Sequence, residues 1–198
     1  MNLDAAFALA VEEFKKIDLK DIAARSGAIV TPERIQVDYL NRRYCLRLPN
    51  AEWEGEIPLR EKLLILHYLI NSKGVPLSGK LIDFREFPGG NVYYPVFEAR
   101  ACRPFLKYFG NSQQLLLEAA LALKGSKQEL GDFSVNIPAF PRVGIIFIVY
   151  RGDEELAPTA KILFDSSVSE YLSTEDVVVV CEDVCHRLIK GATERLNL

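Results

Sequence analysis

The stretch Gly144-Ile145-Ile146-Phe147-Ile148-Val149-Tyr150 constrains this chain more than any other. An uncharged run of that length, bounded by turn residues, reads as a strand, and apolar character in both phases of the pleat predicts a central strand covered on both faces. Phe133, Val135 and Ile137 alternate just before it. Arg151-Gly152-Asp153-Glu154-Glu155 supplies a turn after it, and Ile162-Leu163-Phe164 can return as the neighbouring strand. Beyond Asp165-Ser166-Ser167, the sequence Ser173-Thr174-Glu175-Asp176 opens a C-terminal helix. Asp176 stands where a capping box usually has Glu or Gln.

The first half alternates helical and strand-like periods. Leu3, Ala6, Phe7, Ala10, Val11 and Phe14 predict an N-terminal amphipathic helix, and a short second helix around Leu19–Ala24 should stop at Gly27. Ile35, Val37 and Tyr39, then Tyr44, Leu46 and Leu48, predict a hairpin turning at Asn41-Arg42. Pro58 can start a largely buried helix over Leu59–Asn71, because its missing N–H would be unbonded there anyway. Lys80–Phe87 looks strand-like and Phe87–Tyr94 loop-like. Tyr94–Phe109 allows a helix broken or kinked at Pro104, and Gln113–Leu123 a further helix closed by Gly125.

Strand-rich stretches separated by helices, with no glycine-rich strand-to-helix turn, predict an α+β fold. Its sheet should be mainly antiparallel, with N-terminal, central and C-terminal helices packed on it. A chain of 198 residues can bury roughly 70% of its unfolded surface as one domain. The expectation is a single domain over 1–198, with sub-lobes of about 1–90 and 91–198 as the alternative division.

A formal net charge of -3 gives no long-range attraction to phosphate, so a nucleic-acid partner is not expected. Met1-Asn2-Leu3-Asp4 has no basic segment leading into an apolar run, and no stretch approaches the ~20 apolar residues of a membrane span. A cytoplasmic location without membrane association is the expectation. Cys45, Cys102, Cys181 and Cys185 are too few and too scattered for a disulfide scaffold and read as reduced thiols.

Each candidate site has a plain structural alternative. Asp153, Glu154 and Glu155, with Asp165, could gather oxygen ligands for a hard cation. They equally describe a solvated turn and a helix-capping aspartate. Three consecutive carboxylates cannot all face one ion without a bent backbone, and no metal is expected. Cys181 and Cys185 share a helix face, but so do Val177, Val178, Val184 and Leu188, which makes them core. No CxxC occurs, so a self-contained iron–sulfur cluster is not expected. His67 could be an acid/base group or a hydrogen-bonded histidine at the core edge. Phe87-Pro88-Gly89-Gly90-Asn91-Val92-Tyr93-Tyr94 differs in kind: two glycines permit close approach, and its rings with Arg100 could wall a pocket for a planar or anionic ligand. Tyr93, Tyr94, Arg100, Asp153, Glu154 and Asp165 are therefore the candidate ligand-binding residues, and no catalytic residue is assigned.

The order of motifs carries a resemblance. Gly79-Lys80-Leu81-Ile82-Asp83-Phe84-Arg85-Glu86-Phe87-Pro88-Gly89-Gly90 comes first, then Tyr94, Phe97 and Arg100, then Gly131-Asp132, Pro138 and Pro141. Gly152-Asp153-Glu154-Glu155 and Leu163-Phe164-Asp165 follow. This order resembles the DUF3786 family of uncharacterised proteins over most of the chain. The resemblance implies a setting of corrinoid or metal-cofactor metabolism in anaerobes. The added iron–sulfur segment of some members is missing here, so no cluster carries over.

The function expected is that of a non-catalytic accessory protein binding a cofactor, of unknown identity, or a cofactor-bearing protein partner. The alternatives are a metal-assisted enzyme using the carboxylates, and a structural or oligomerisation domain such as a homodimer.

Overall fold

The structure, a computed structural model, describes residues 3–196; Met1, Asn2, Asn197 and Leu198 lie outside it. It is an α+β fold with two antiparallel sheets. The smaller sheet runs in the order β1 (Ile29–Val30), β2 (Arg34–Tyr39), β3 (Arg42–Arg47) and β4 (Glu52–Trp53). The larger contains β5 (Leu81–Asp83), β6 (Ser126–Gln128), β7 (Phe133–Phe140), β8 (Val143–Tyr150) and β9 (Thr159–Asp165), in the spatial order β5-β9-β8-β7-β6. The helices are α1 (Leu3–Phe14), α2 (Leu19–Ser26), α3 (Leu59–Asn71), α4 (Gly90–Phe97), α5 (Arg103–Phe109), α6 (Gln113–Ala122) and α7 (Thr174–Leu196).

Odd positions of β7 and β8 and even positions of β9 point at the helices. Val135, Ile137, Ile145, Phe147, Ile162 and Phe164 are all buried there. Phe105 of α5 lies 4.9 Å from the Phe147 ring, and Phe87 meets Phe164 edge-on at 5.2 Å. Burial of each such side chain stabilises the fold by about 1.5–3 kcal/mol relative to exposure. Cys181 and Cys185 are fully buried on α7 among Val177, Val178, Val184 and Leu188.

The β2–β3 hairpin forms one residue earlier than its polar pair suggests. Leu40 and Asn41 take the two left-handed turn positions, with φ of 46° and 59°. A leucine accepts that conformation because it is tied down: its side chain is buried, and its N–H donates to the Ala139 carbonyl at 3.0 Å. The bulge between Pro138 and Phe140 frees Ala139 from the β7–β8 ladder and so joins the two sheets.

Three local expectations need correction. The strand expected over Lys80–Phe87 stops at Asp83, whose carboxylate accepts the Arg85 N–H at 3.0 Å while Glu86 takes the Asp83 N–H at 2.9 Å. That capping box forces a 3-10 turn over Phe84–Glu86. The loop expected over Phe87–Tyr94 is already helical from Gly90, where a Cβ would lie 2.2 Å from the Phe84 carbonyl oxygen. The helix also does not break at Pro104. A π-helical segment over Glu98–Cys102 widens it just upstream, with the Arg103 N–H reaching the Glu98 carbonyl, and Pro104 then sits in the first turn of α5.

Candidate functional site: a cleft on the open face of the large sheet

The central strand is covered on its second face only in part: Ile148 is buried there, and Gly144, Ile146 and Tyr150 are half-buried. The helices cover one face of β8. On the other, Gly144 and Ile146 lie beside Asn136 and Pro138 of β7 and line a cleft of about 360 Å³. Its overhanging wall is the segment from Lys73 to Lys80, strapped along the sheet at three points. The Lys73 N–H donates to Glu170, the Tyr171 hydroxyl to the Val75 carbonyl, and Ser78 and Gly79 to Asp165. Val75 and Leu77 hang from this strap over the floor; Leu77 is 69% exposed, and Leu81 on the adjoining edge strand 39%. Phe140, Arg142 and Tyr171 complete the surround.

Asn136 carries the cleft's polar signal. Its side-chain oxygen is buried and has no hydrogen-bond partner, although the residue sits in an otherwise apolar floor. A buried acceptor without a donor costs about 1–3 kcal/mol, so its retention calls for an explanation. A side chain at position 144 would crowd it, since a Cβ there would lie 2.8 Å from that oxygen.

Of the six residues singled out from the sequence, Asp165 alone lines this cleft. One of its oxygens accepts from the Ser78 N–H and hydroxyl and the Ser167 N–H at 3.0, 2.8 and 2.9 Å; the other accepts from the Gly79 N–H at 2.8 Å. Burial works to raise its pKa, and these donors from Ser167 and Ser78 overcome burial and hold the carboxyl far below the usual range. Asp165 therefore caps the 3-10 turn after β9 and pins the strap.

The other five lie elsewhere. Tyr93 donates its hydroxyl to Glu175 on α7, and the Tyr94 ring carries the Arg85 guanidinium 3.6 Å from its centroid. Arg100 donates to Glu182, as does Arg60. Asp153 folds its carboxylate back onto the N–H groups of Glu155 and Leu156, at 2.9 and 2.8 Å, and Glu154 is exposed beside it. The turn bearing Asp153 packs where Pro158 meets Gly110, past the end of α5. Arg100 is ten residues before Gly110, roughly 15 Å along the helix axis. Asp165 stands at the far end of β9, roughly 20 Å of strand from that turn. The glycine loop and the acidic turn thus do not meet.

Polar networks away from the cleft are engaged with one another. Arg60 also lies 3.2 Å from Asp183, Tyr39 donates to Asp183 at 2.8 Å, and Arg187 bridges Tyr44 and Glu61 at 3.3 Å each. His67 Nδ1 is 2.9 Å from Asp176, which also accepts the Ser173 hydroxyl at 2.7 Å. The serine bonds the aspartate and not the imidazole, so these three are not arranged as a nucleophile with its base. Burial raises the pKa of the thiols of Cys181, Cys185 and Cys102, the last to about 12. Among the described residues no three His, Cys, Asp or Glu side chains are grouped to hold a metal ion, and no helix is long and apolar enough to cross a membrane.

The cleft residues Asn136, Gly144, Ile146, Leu77 and Tyr171 were not anticipated. The signal was present but easily misread. A polar residue between Ser134 and Pro138 on an alternating strand looks solvent-facing, yet its partner across the ladder is Ile146, on the same open face.

These features define an α+β protein with a ligand-sized cleft on the partly covered face of an antiparallel sheet. Residues 18–187 match a domain of unknown function, DUF3786, and the chain belongs to that family. No curated protein and no solved structure matches it. The motif order that carries the resemblance is largely architectural: Gly79 bonds Asp165, Asp83 and Glu86 close the capping box, and Phe84, Phe87 and Phe97 pack around Phe164.

Proposed function

We propose that this protein is a non-catalytic binding protein whose ligand seat is the cleft between the Lys73–Lys80 strap and the open face of β7 and β8. The single observation that supports this most is the unpartnered Asn136 oxygen in an apolar, half-enclosed floor. A concave apolar site with few placed polar groups is the common form of a small-molecule pocket. The carboxylate at its rim, Asp165, is saturated with donors and held ionised, which suits positioning rather than proton transfer. The family resemblance points the same way, to an accessory role toward a cofactor or a cofactor-bearing partner in anaerobic metabolism, in the cytoplasm.

A thermal-shift survey of the purified chain with metals, corrinoids, nucleotides and amphipathic organic molecules tests the reading, because a ligand that binds the folded state raises its melting temperature. The expected result is a rise with at least one organic ligand that disappears in Gly144→Val, which fills the floor, and weakens in Leu77→Glu, whose exposed position leaves folding intact. Shifts that survive both substitutions would place the ligand elsewhere.

A further inference from the structure

We infer that the cleft takes a compact ring compound that donates an N–H to Asn136 and turns an acidic group toward Arg142; the inference rests on the binding role proposed above. The Asn136 oxygen is a buried acceptor without a donor, and it lies so close to residue 144 that a Cβ there would stand 2.8 Å from it. A ligand N–H is the group that satisfies it, and leaving that acceptor unpaired is what a competing ligand without a donor would incur.

The body of the ligand is set by the walls. Ile146, Pro138 and Phe140 form one side, and Val75, Leu77 and Leu81 the other, all lining a space of about 360 Å³. A flat apolar body fits between a sheet face and an overhanging strap with most of its surface covered.

Arg142 supplies the charge. It sits in the β7–β8 turn, where its backbone N–H donates to the Tyr68 hydroxyl at 3.2 Å; the residue is exposed and lines the cleft, its side chain passing beside Gly27. Among the described residues, no carboxylate or aromatic ring engages its guanidinium. By contrast, Arg43, Arg47 and Arg103 have carboxylate partners, and Arg85 a ring. The charged groups facing the cleft are thus Arg142 and Asp165, and Asp165 already accepts from Ser78, Gly79 and Ser167. An acid is therefore accommodated at the Arg142 end and not beside Asp165.

Three matched probes test this on the full chain by calorimetric titration: indole-3-acetate, its N-methylated analogue, and indole-3-acetamide. Indole-3-acetate should bind, and blocking the ring N–H or neutralising the acid should each weaken Kd by about tenfold. Asn136→Ala should erase the first difference and Arg142→Ala the second, with each variant's circular dichroism confirming that it folds. Equal binding of all three probes to the wild type overturns this inference while leaving the cleft as a binding site. Absence of binding by all three, together with no cleft-dependent shift in the wider survey, overturns both.

Discussion

Arg100 donates to Glu182 across the seam between the π-helical segment and α7, and Arg60 of α3 donates to the same carboxylate oxygen. Three helical elements thus converge on one group. Burial pushes the Glu182 carboxyl up, while the Arg100 and Arg60 guanidinium groups outweigh it and keep it below the ordinary value. Glu182→Ala should destabilise the fold by about 1–3 kcal/mol, since it strands the partly buried Arg100 guanidinium and leaves Arg60 with Asp183 as its remaining carboxylate. Denaturant unfolding of Glu182→Ala, Arg100→Ala and the double variant measures the coupling. Strict additivity would show that the pair contributes nothing of its own.

Asp165 gives the strap an acid sensitivity. A carboxyl depressed on folding contributes stability that is present above its unfolded value of about 3.9 and is lost as pH falls through the folded one. Asp165→Asn should therefore be less stable than wild type at pH 7 by about 2–3 kcal/mol, through the lost cap and charged hydrogen bonds. The gap should close as pH is lowered from 4 toward 2. A constant gap across that range in urea titrations would contradict the assignment.

His67 runs in the opposite sense. Its hydrogen bond to Asp176 outweighs burial and raises its pKa above the ordinary 6.5. A group raised on folding contributes stability that is full below its unfolded value and drains away as pH rises through the folded one. The excess melting temperature of wild type over His67→Gln should accordingly be largest near pH 5.5 and shrink by pH 8.5. Glu13 and Glu175 reinforce the charge, so added salt should reduce the low-pH excess.

The thiols should be quiet. Cys102, Cys181 and Cys185 all have their thiols pushed up by burial, and a thiol rather than a thiolate reacts poorly. In a disulfide-exchange assay at pH 8, no more than one thiol per folded chain, that of Cys45, should react promptly. All four should react in denaturant. Rapid reaction of two or more in the native state would show that the α7 seam opens.

The legible parts of the fold were those written in local chemistry. Leu59–Asn71 was readable to the residue because Pro58 marks its start and the helical period runs unbroken to its end. The hairpin was readable from alternation alone, and its turn slipped by one because only tertiary anchoring lets Leu40 take a left-handed conformation. The site was harder. The partner of Arg100 lies 82 residues away in sequence, and no spacing rule connects them. Asn136 reads as a surface residue until the ladder puts Ile146 beside it and the strap closes over both.

The π-helical segment over Glu98–Cys102 has a last consequence, for how the chain can change over time. It holds one residue more than an ordinary turn of helix, and the wider turn absorbs that surplus, so the half carrying Phe97 and the half carrying Phe105 keep nearly the rotation of a continuous α-helix. Deleting one residue there would mend the hydrogen-bond ladder and leave Phe97 against Phe84 and Phe164 and Phe105 against Phe147. The same deletion within α4 or α5 would swing one half by about 100° and break those contacts. The chain can therefore shorten by one residue at this segment and not on either side of it.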